Sequence, residues 1–578
     1  MRPYAIVDTE TTGFRWWGPD RVFLIGERSD GKNNLHWSCT EGQNHRLPGG
    51  THLVFHNAKF DIHMLRAVGT SVDIDQVVDT QILAHLAGEE ELGLKALAGK
   101  YFGDKEYDKP LKDWLKAEAR RWRKEGRAGI PNYSYVPKDM MEVYLAKDLE
   151  YTDELYNMWY EALLMRCPDQ LAIEHRLIRL VLDIEQRGIA IDATTLRTRL
   201  EEITYELDQT REWFRHTLGS DFNPNSPLDL AHLLFDRLHL PIRGRTPTGK
   251  PSLDSITLAS YGIQEASKVL DYRRLGKIKG TYLEAIDENV RSNVDGRLRG
   301  GLRQNGTITG RFSSRDPNLQ NIPRRDVDVR QCIKPSSGNV LVFADYSQIE
   351  MRIFASLSRD DTLIQCLLRG EDLHERTQLL LGLGDLGKPG RQIAKTINFG
   401  VIYGMGAKKL SESLSELYLQ EGGEFRAWSL EECKDLLRRY QHAYPAAKSF
   451  MDRMALEARR VGYVEDLWGK RYRLQGDWYK ATNYLVQGSA AQVLKRAMLR
   501  MSDKYPIINC IHDELILDIP EGAWYSNVEA TVVDIQWRME ERALFWVPLL
   551  VEVSWSNTSW AEKRPALGVS SSISRLQS

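Results

Sequence analysis

Several protein classes are excluded by what this chain lacks. Only six cysteines occur in 578 residues (Cys39, Cys167, Cys332, Cys366, Cys433 and Cys510). None forms a C-x-x-C pair or stands at a zinc-site spacing from histidine. A disulfide framework and a zinc module are therefore not expected, and reduced, buried thiols are. No apolar run approaches the ~18 residues of a membrane span, and the amino terminus lacks the apolar core of a signal peptide. The expectation is a soluble protein that remains in the cytoplasm. Neither sign of charge prevails, with 78 Lys and Arg against 80 Asp and Glu and a net charge of −2, so any nucleic-acid footprint must be local. No internal repeat is visible, and low complexity is confined to a Ser-rich tail after residue 566. What remains is ordinary globular usage, 42% hydrophobic and 27% charged, which argues against collagen-like and disordered classes. The length suits roughly three to four compact units.

Residues 3 to 9 read as a buried strand that delivers Asp8 and Glu10 to its end. A second apolar run, Leu53 to Phe55, leads through Asn57 into a helical stretch carrying Asp61, which is α/β texture. A basic run around Trp122 (Arg120, Arg121, Arg123, Lys124, Arg127) precedes a long helical pattern over 138–164. The first domain boundary is expected near 165, around Cys167 and Pro168. Residues 171–187 have helical periodicity, Gly188 stops that helix, and Asp192 is a candidate N-cap for the next. A mostly helical, loop-broken arm extends to about 290. From 339 an apolar strand precedes Asp345, and strands at 506–512 and 515–520 flank His512, Asp513 and Glu514, where a hairpin turn displays both acids.

Asp8-x-Glu10 alone is a weak signal, and each acid taken singly fits a solvated cap. Two carboxylates closing a buried strand are costly to desolvate unless a cation or donors meet them. Tyr144 and Asp148 stand four apart on one helical face and point into the same cleft. Four acids and a phenol suit two oxygen-ligated Mg²⁺ ions and an oriented water, the chemistry of phosphodiester hydrolysis. The set Asp8-Thr-Glu10-Thr-Thr-Gly13, Asn57-x-x-x-Phe60-Asp61 and Tyr144-x-x-x-Asp148 resembles the three motifs of proofreading 3′→5′ exonucleases. That resemblance implies an RNase H-like sheet, with Asp8, Glu10, Asp61 and Asp148 as metal ligands and Tyr144 orienting water.

Asp345 and Asp513, far apart in sequence, suit a second pair of ions for attack by a hydroxyl with a pyrophosphate leaving. Between them Arg391, Lys395, Phe399 and Tyr403 recur every four residues on a helix expected to open at Pro389-Gly390. Cations near a helix N-terminus favour a triphosphate. The stretches Thr309-Gly-Arg311-Phe-Ser-Ser-Arg-Asp-Pro-Asn318-Leu-Gln320-Asn321-Ile-Pro, Asp345-Tyr-Ser-Gln-Ile-Glu350-Met-Arg352, Arg391 to Gly404 and His512-Asp513-Glu514 resemble family A DNA polymerases.

The resemblance implies a 3′→5′ exonuclease domain over 1–165 and a right-hand polymerase over 166–578. Its thumb is expected at about 190–295, palm at about 296–360 and 475–565, fingers at about 361–474, and the tail at 566–578. Asp345 and Asp513 are then palm metal ligands, with Glu514 as nearby support. Arg391, Lys395 and His374 hold the triphosphate, Phe399 and Tyr403 shape the nucleotide pocket, and Glu350 blocks a ribose 2′-OH. Arg311, Asn318, Gln320, Asn321, Asn483, Gln487 and His512 are expected to bind DNA at the primer terminus or minor groove. Arg273, Lys277 and Lys279 are expected to grip phosphates from the thumb. The basic run at Trp122 would guide a single strand or simply form an exposed helix face.

Implied cofactors are two Mg²⁺ per active site, with Mn²⁺ as a substitute. Implied partners are primer-template DNA, deoxynucleoside triphosphates and replisome proteins such as a helicase and a single-strand-binding protein, around a monomer. No 5′-nuclease segment precedes the exonuclease region, which resembles bacteriophage enzymes acting in a bacterial cytoplasm. The short thumb lacks an insertion of the kind that recruits thioredoxin. Tyr479 and Gln492 depart from residues found in some relatives. Alternatives are a nuclease fused to a non-catalytic DNA-binding scaffold, or a polymerase copying RNA.

Overall fold

The computed structural model describes residues 3–37, 45–219, 222–246, 248–322, 327–420 and 428–566. Cys39, Pro323 and the Ser-rich tail beyond Ala566 lie outside them. The run of buried Ala5, Ile6 and Val7 forms β1 (Tyr4–Thr11), the centre of a five-stranded sheet ordered β3-β2-β1-β4-β5. β2 (Val22–Ser29) and β3 (Lys32–Trp37) extend it antiparallel, and β4 (His52–Phe55) and β5 (Val77–Asp79) extend it parallel. The helices of this part are α1 (Ala58–Ala67), α2 (Thr80–Leu86), α3 (Leu94–Tyr101), α4 (Lys109–Lys124) and α5 (Lys138–Arg166).

The long helix α5 crosses β1 and β2 closely. A Cβ at Gly26 would come within 2.9 Å of Leu145 Cδ2 and Leu149 Cδ1, so only glycine permits the approach. Asp8 pairs with Gly26 and Glu10 with Leu24, and strand alternation puts both acids on this α5 face.

At Cys167 the chain turns a corner straight into α6 (Pro168–Arg187), with Pro168 in the first turn. The expected boundary near 165 is thus a helix corner with no linker. One side of α6 sends Leu171, Ile178 and Leu182 into the core of the five-stranded sheet, and the other sends Leu177, Leu180, Val181 and Ile184 into the core of the rest of the chain. A buried polar seam runs along it. Lys495 Nζ donates to Glu174 at 2.7 Å, both side chains being 0% exposed, and Gln304 Nε2 donates to the same carboxylate at 2.8 Å. Burial pushes Glu174 up, but Lys495 and neighbouring cations outweigh it and hold the carboxyl at about 2. Further along, His85 Nε2 lies 2.9 Å from both the Thr307 carbonyl oxygen and Lys470 Nζ. Burial lowers the Lys470 ammonium to about 7.

The second part of the chain is built on an antiparallel sheet centred on the strand Asn339–Tyr346. This strand lies between Glu514–Pro520 and Val551–Ser556, with Ile507–Ile511 and Arg564–Pro565 outside them. Val342, Ala344, Leu515 and Leu517 face one core, which includes residues of the helix Ala481–Ser502. Phe343, Ile516 and Trp560 face the other, at the base of a helical arm. The helical arm expected to be the thumb has its own small core around Phe214, Leu230, Leu258 and Val269. Asp192 caps its long helix Ala193–Leu218 by accepting from the Thr194 and Thr195 N–H groups. The helix carrying Arg391, Lys395 and Phe399 spans Gly387–Ile402. It opens at Gly387 rather than at Pro389-Gly390, since a proline that needs no N–H partner fits inside a first turn.

Candidate functional sites

Carboxylate oxygens of Asp8, Glu10 and Asp148 lie within 4.8 Å of one another. β1 supplies the first two and α5 the third. Burial first, then the charges of Asp61, Asp148 and Glu10, drive Asp8 well above the usual carboxylate range. Burial and Asp148 do the same to Glu10. The donors are all hard oxygens, with no sulfur or imidazole in the group. Such a set, short of positive charge and crowded with negative, fits a hard dication such as Mg²⁺ or Mn²⁺.

Asp61 was expected among these ligands, but its carboxylate turns to Thr9, accepting from Thr9 Oγ1 at 2.6 Å and Thr9 N at 3.2 Å. Burial and then Asp79 lift it to about 7, and it stands beside the three-acid group rather than in it. Asp79 in turn anchors the start of α1 by accepting from the Asn57 and Ala58 N–H groups at 2.9 Å.

A cation missing from the sequence reading enters here. Lys95, on α3, donates to Tyr144 Oη at 2.5 Å and to Asp148 Oδ2 at 3.1 Å. Burial opposes its charge, yet Asp148, Asp8 and Glu10 raise its pKa. Tyr107 donates to Asp148, and the Tyr107 and Tyr133 rings pack 6.1 and 6.2 Å from that of Tyr144. Nothing in the motif spacings pointed to Lys95, because helix α3 reaches the site only through the fold.

A cleft is lined by Phe14, Trp16, Phe60, Thr281, Arg315 and Asn318. Phe14 is 80% exposed and its ring lies 5.9 Å from that of Phe60. Arg15 pairs across the cleft with Glu288 at 2.7 Å. The basic run on α4 is an exposed face. Trp122 itself is buried, its indole edge-on to Tyr135 at 5.0 Å and bonded to Glu118, so it offers no free ring to a base.

On the second sheet, Asp345 sits at the end of the central strand, cross-strand from Glu514 and Glu552. Tyr346 N–H donates to the Asp513 carbonyl at 3.3 Å, which places the two aspartates' backbones side by side at the same sheet end. His512 adopts φ 54°, a left-handed turn that any non-glycine residue enters at some cost. Gln320 fixes this turn. Its amide donates to Cys510 O at 2.5 Å, and its oxygen accepts from His512 N at 3.1 Å. Gln320 is 7% exposed, so the expected DNA contact is replaced by a clamp on the Asp513 loop. Glu514 pairs with Lys563.

Glu350, 4% exposed, accepts from Tyr403 Oη at 2.8 Å and pairs with Arg311. Arg311 thus lies beside Glu350 and Tyr403, and Asp513 also acts on its charge. Gln487 bonds to Tyr403, and Asn483 Oδ1 is buried without a partner. Arg391 Nε donates to Asp372 at 3.0 Å. His374 bonds Asn398 at 3.0 Å, and burial lowers it to about 4. The Phe399 ring lies 5.7 Å from His374, while Lys395 is exposed.

Asn318 accepts from Ser314 Oγ at 3.3 Å, and the exposed Asn321 gives its carbonyl to Tyr282. On the thumb, Lys277 is exposed and Lys279 pairs with Glu284 at 3.5 Å. Arg273 departs from expectation. It donates to the Pro224 and Leu253 carbonyls at 3.1 and 3.3 Å, which ties two thumb loops together instead of presenting a guanidinium to phosphate.

Comparison with known proteins follows the same division. Residues 193–562 match the family described as DNA polymerase family A, and residues 44–161 match one described as 3'-5' exonuclease. The second match leaves β1, with Asp8 and Glu10, outside it. The chain is 30% identical over 543 residues to DNA polymerase I of Pseudomonas aeruginosa, covering 88% of this chain and 56% of that protein. It is 36% identical over 408 residues to a thermostable DNA polymerase I of Thermus thermophilus, covering 66% and 47%. The chain spans about half the length of the curated relatives it matches. A solved structure titled as the POL domain of Pol1 from M. smegmatis in complex with DNA primer-template and dNTP superposes with TM-score 0.76 at 25% identity, covering 97% of this chain and 96% of that one.

Proposed function

Because the chain belongs to the family A DNA polymerases and carries a 3′-5′ exonuclease domain, we propose that it extends a primer on a DNA template and excises the 3′ end at a second site. The observation that carries this reading is the pocket where Arg311, Glu350 and Tyr403 meet within reach of Asp513. Its neighbouring helix carries Arg391 and Lys395 at the start and Phe399 toward the end.

Bound Mg²⁺, held in the nuclease by Asp8, Glu10 and Asp148 with Asp61 beside them and in the palm by Asp345 and Asp513, would supply Lewis-acid stabilisation of attacking and leaving oxygens. The chain's own residues do the rest. Burial keeps the Tyr144 phenol protonated, and Lys95 aims it, so that it orients the attacking water. Arg391, released from Asp372, and Lys395 take the triphosphate, where the helix dipole adds to their charge. Glu350, fixed by Tyr403, fills the space a ribose 2′-OH would need. Phe399 lies under the sugar, and Lys277 reaches backbone phosphate. Phe14 and Phe60 offer stacking faces to an unpaired strand on its way to the nuclease.

The test is one gel. A 5′-labelled primer on a template, with Mg²⁺, should lengthen when deoxynucleotides are present and shorten when they are withheld. Shortening alone would convert the reading to a nuclease on a non-catalytic scaffold, and neither product would overturn both halves.

A further inference from the structure

We propose that Glu27, His36 and His45 form a transition-metal site of the zinc class on the nuclease sheet, separate from the catalytic carboxylates. Their donor atoms lie within 4.8 Å of one another. Sequence spacing gave no hint of such a site. The strand register creates it: Ile25 pairs with His36 and Glu27 with Asn34, so Glu27 and His36 are diagonal neighbours on one face. Gly26, between Ile25 and Glu27, faces α5 with Asp8. Glu27 therefore projects from the opposite face, and the sheet stands between this group and the nuclease acids.

His45 completes the group from beyond the edge strand. Its Nε2 lies 2.5 Å from Glu27 Oε1, and its ring centroid lies 4.2 Å from that of His36. The three are sheltered, with Glu27 8% exposed and the His45 side chain 18% exposed. Burial, and then the charge of His45, push His36 below the usual histidine range, toward the neutral form that ligates metals. Two imidazole nitrogens and one carboxylate match the three-ligand zinc pattern, with a fourth position for water. Imidazole is a poor ligand for Mg²⁺, so the ion here differs from those of the active sites. Bound there, it would clip β3 to the chain entering β4.

The test uses the full chain carrying Asp8→Ala and Glu10→Ala, so that the nuclease carboxylates do not compete. After loading with Zn²⁺ and dialysis against a weak chelator, the protein should retain one equivalent. His36→Ala and, separately, His45→Gln in the same background should lose it. Co²⁺ loading should give an intense visible band of a four-coordinate nitrogen site, absent from both variants. Zn²⁺ should raise the thermal midpoint of the parent by a few degrees and leave the variants unmoved. Primer extension by His45→Gln reports that the variant is folded. Absence of a retained equivalent in the parent, or equal retention in folded variants, overturns the proposal.

Discussion

The nuclease and palm sites use the same residue type in opposite settings. In the nuclease, Asp8, Glu10 and Asp148 crowd together, pushed toward protonation by burial and mutual repulsion, and Lys95 and Tyr107 already bond to Asp148. In the palm, Asp345 and Asp513 stand half-buried at a sheet end. The charged groups expected to meet substrate there are held by partners on the chain itself, Arg311 by Glu350 and Arg391 by Asp372. The nuclease acids are already crowded together, whereas on the proposed reading the polymerase pocket exchanges internal ion pairs for a nucleotide. A site of the first kind is sensitive to anything that alters local charge. A site of the second kind is sensitive to what the incoming ligand offers in return.

The sharpest way to break this comparison is to remove the acids themselves. Asp345→Ala or Asp513→Ala should lower extension by about three orders of magnitude or more while single-stranded DNA is still degraded. Asp8→Ala with Glu10→Ala should do the reverse. Loss of both activities from either change would show that the sites are not independent, and can be read from extension and excision rates on matched substrates.

Next in size is a change that should strike both sites together. Glu174→Ala strands Lys495 in the interior, and the loss of a buried partner costs about 3–5 kcal/mol of stability. Denaturant unfolding followed at both domains should shift together. In the parent, the Glu174 carboxyl is lowered from 4.5 to about 2, so its contribution is complete above pH 4.5 and is lost as pH falls toward 2. The variant should lack that part of the acid limb.

Phe399→Tyr probes what the ligand must offer. A dideoxynucleotide lacks the 3′-OH, a donor that a tyrosine hydroxyl at this position replaces and phenylalanine does not. Selection against dideoxynucleotides should relax by about 1.5–3 kcal/mol, the scale of a charge-assisted hydrogen bond, with deoxynucleotide incorporation nearly unchanged. Single-turnover incorporation in the Asp8→Ala, Glu10→Ala background measures it, and an unchanged ratio would remove Phe399 from the sugar pocket.

The smallest expected effect belongs to the compressed site. Lys95→Met should slow excision by about tenfold, the lower end for groups that orient metal ligands, and leave extension alone. If excision rises instead, the ammonium competes with the cation for Asp148.

How far these sites were legible in the sequence follows from how each residue acts. Asp8 and Glu10 announce themselves as two acids in a buried strand, which runs on to Thr11 rather than ending at them, and Tyr144 and Asp148 by a four-residue helical spacing. The strand ending in Asp345 and the turn at Asp513 are read the same way. Lys95 was not legible, since a lysine on a short helix carries no local sign of what the fold sets beside it. Arg273 and Gln320 were read for their chemistry, a cation and an amide suited to DNA. The fold directs that chemistry inward, one to thumb-loop carbonyls and the other to the His512 turn. Glu27, His36 and His45 escaped for a different reason: their proximity depends on register across strands, which no linear spacing records.

Helix α6 has a further consequence, for ancestry and for engineering. Its two sides belong to two cores, and the seam from Glu174 to Lys495 and from His85 to Lys470 is buried along with it. The nuclease therefore cannot be traded as a cassette. A recombination breakpoint at the Cys167 corner would join an α6 shaped for one nuclease to the underside of another, leaving unmatched leucines and an unpaired ammonium. Viable chimaeras should place their crossover after Arg187, carrying α6 with the nuclease and its partners Gln304, Lys470 and Lys495 by compensating substitution.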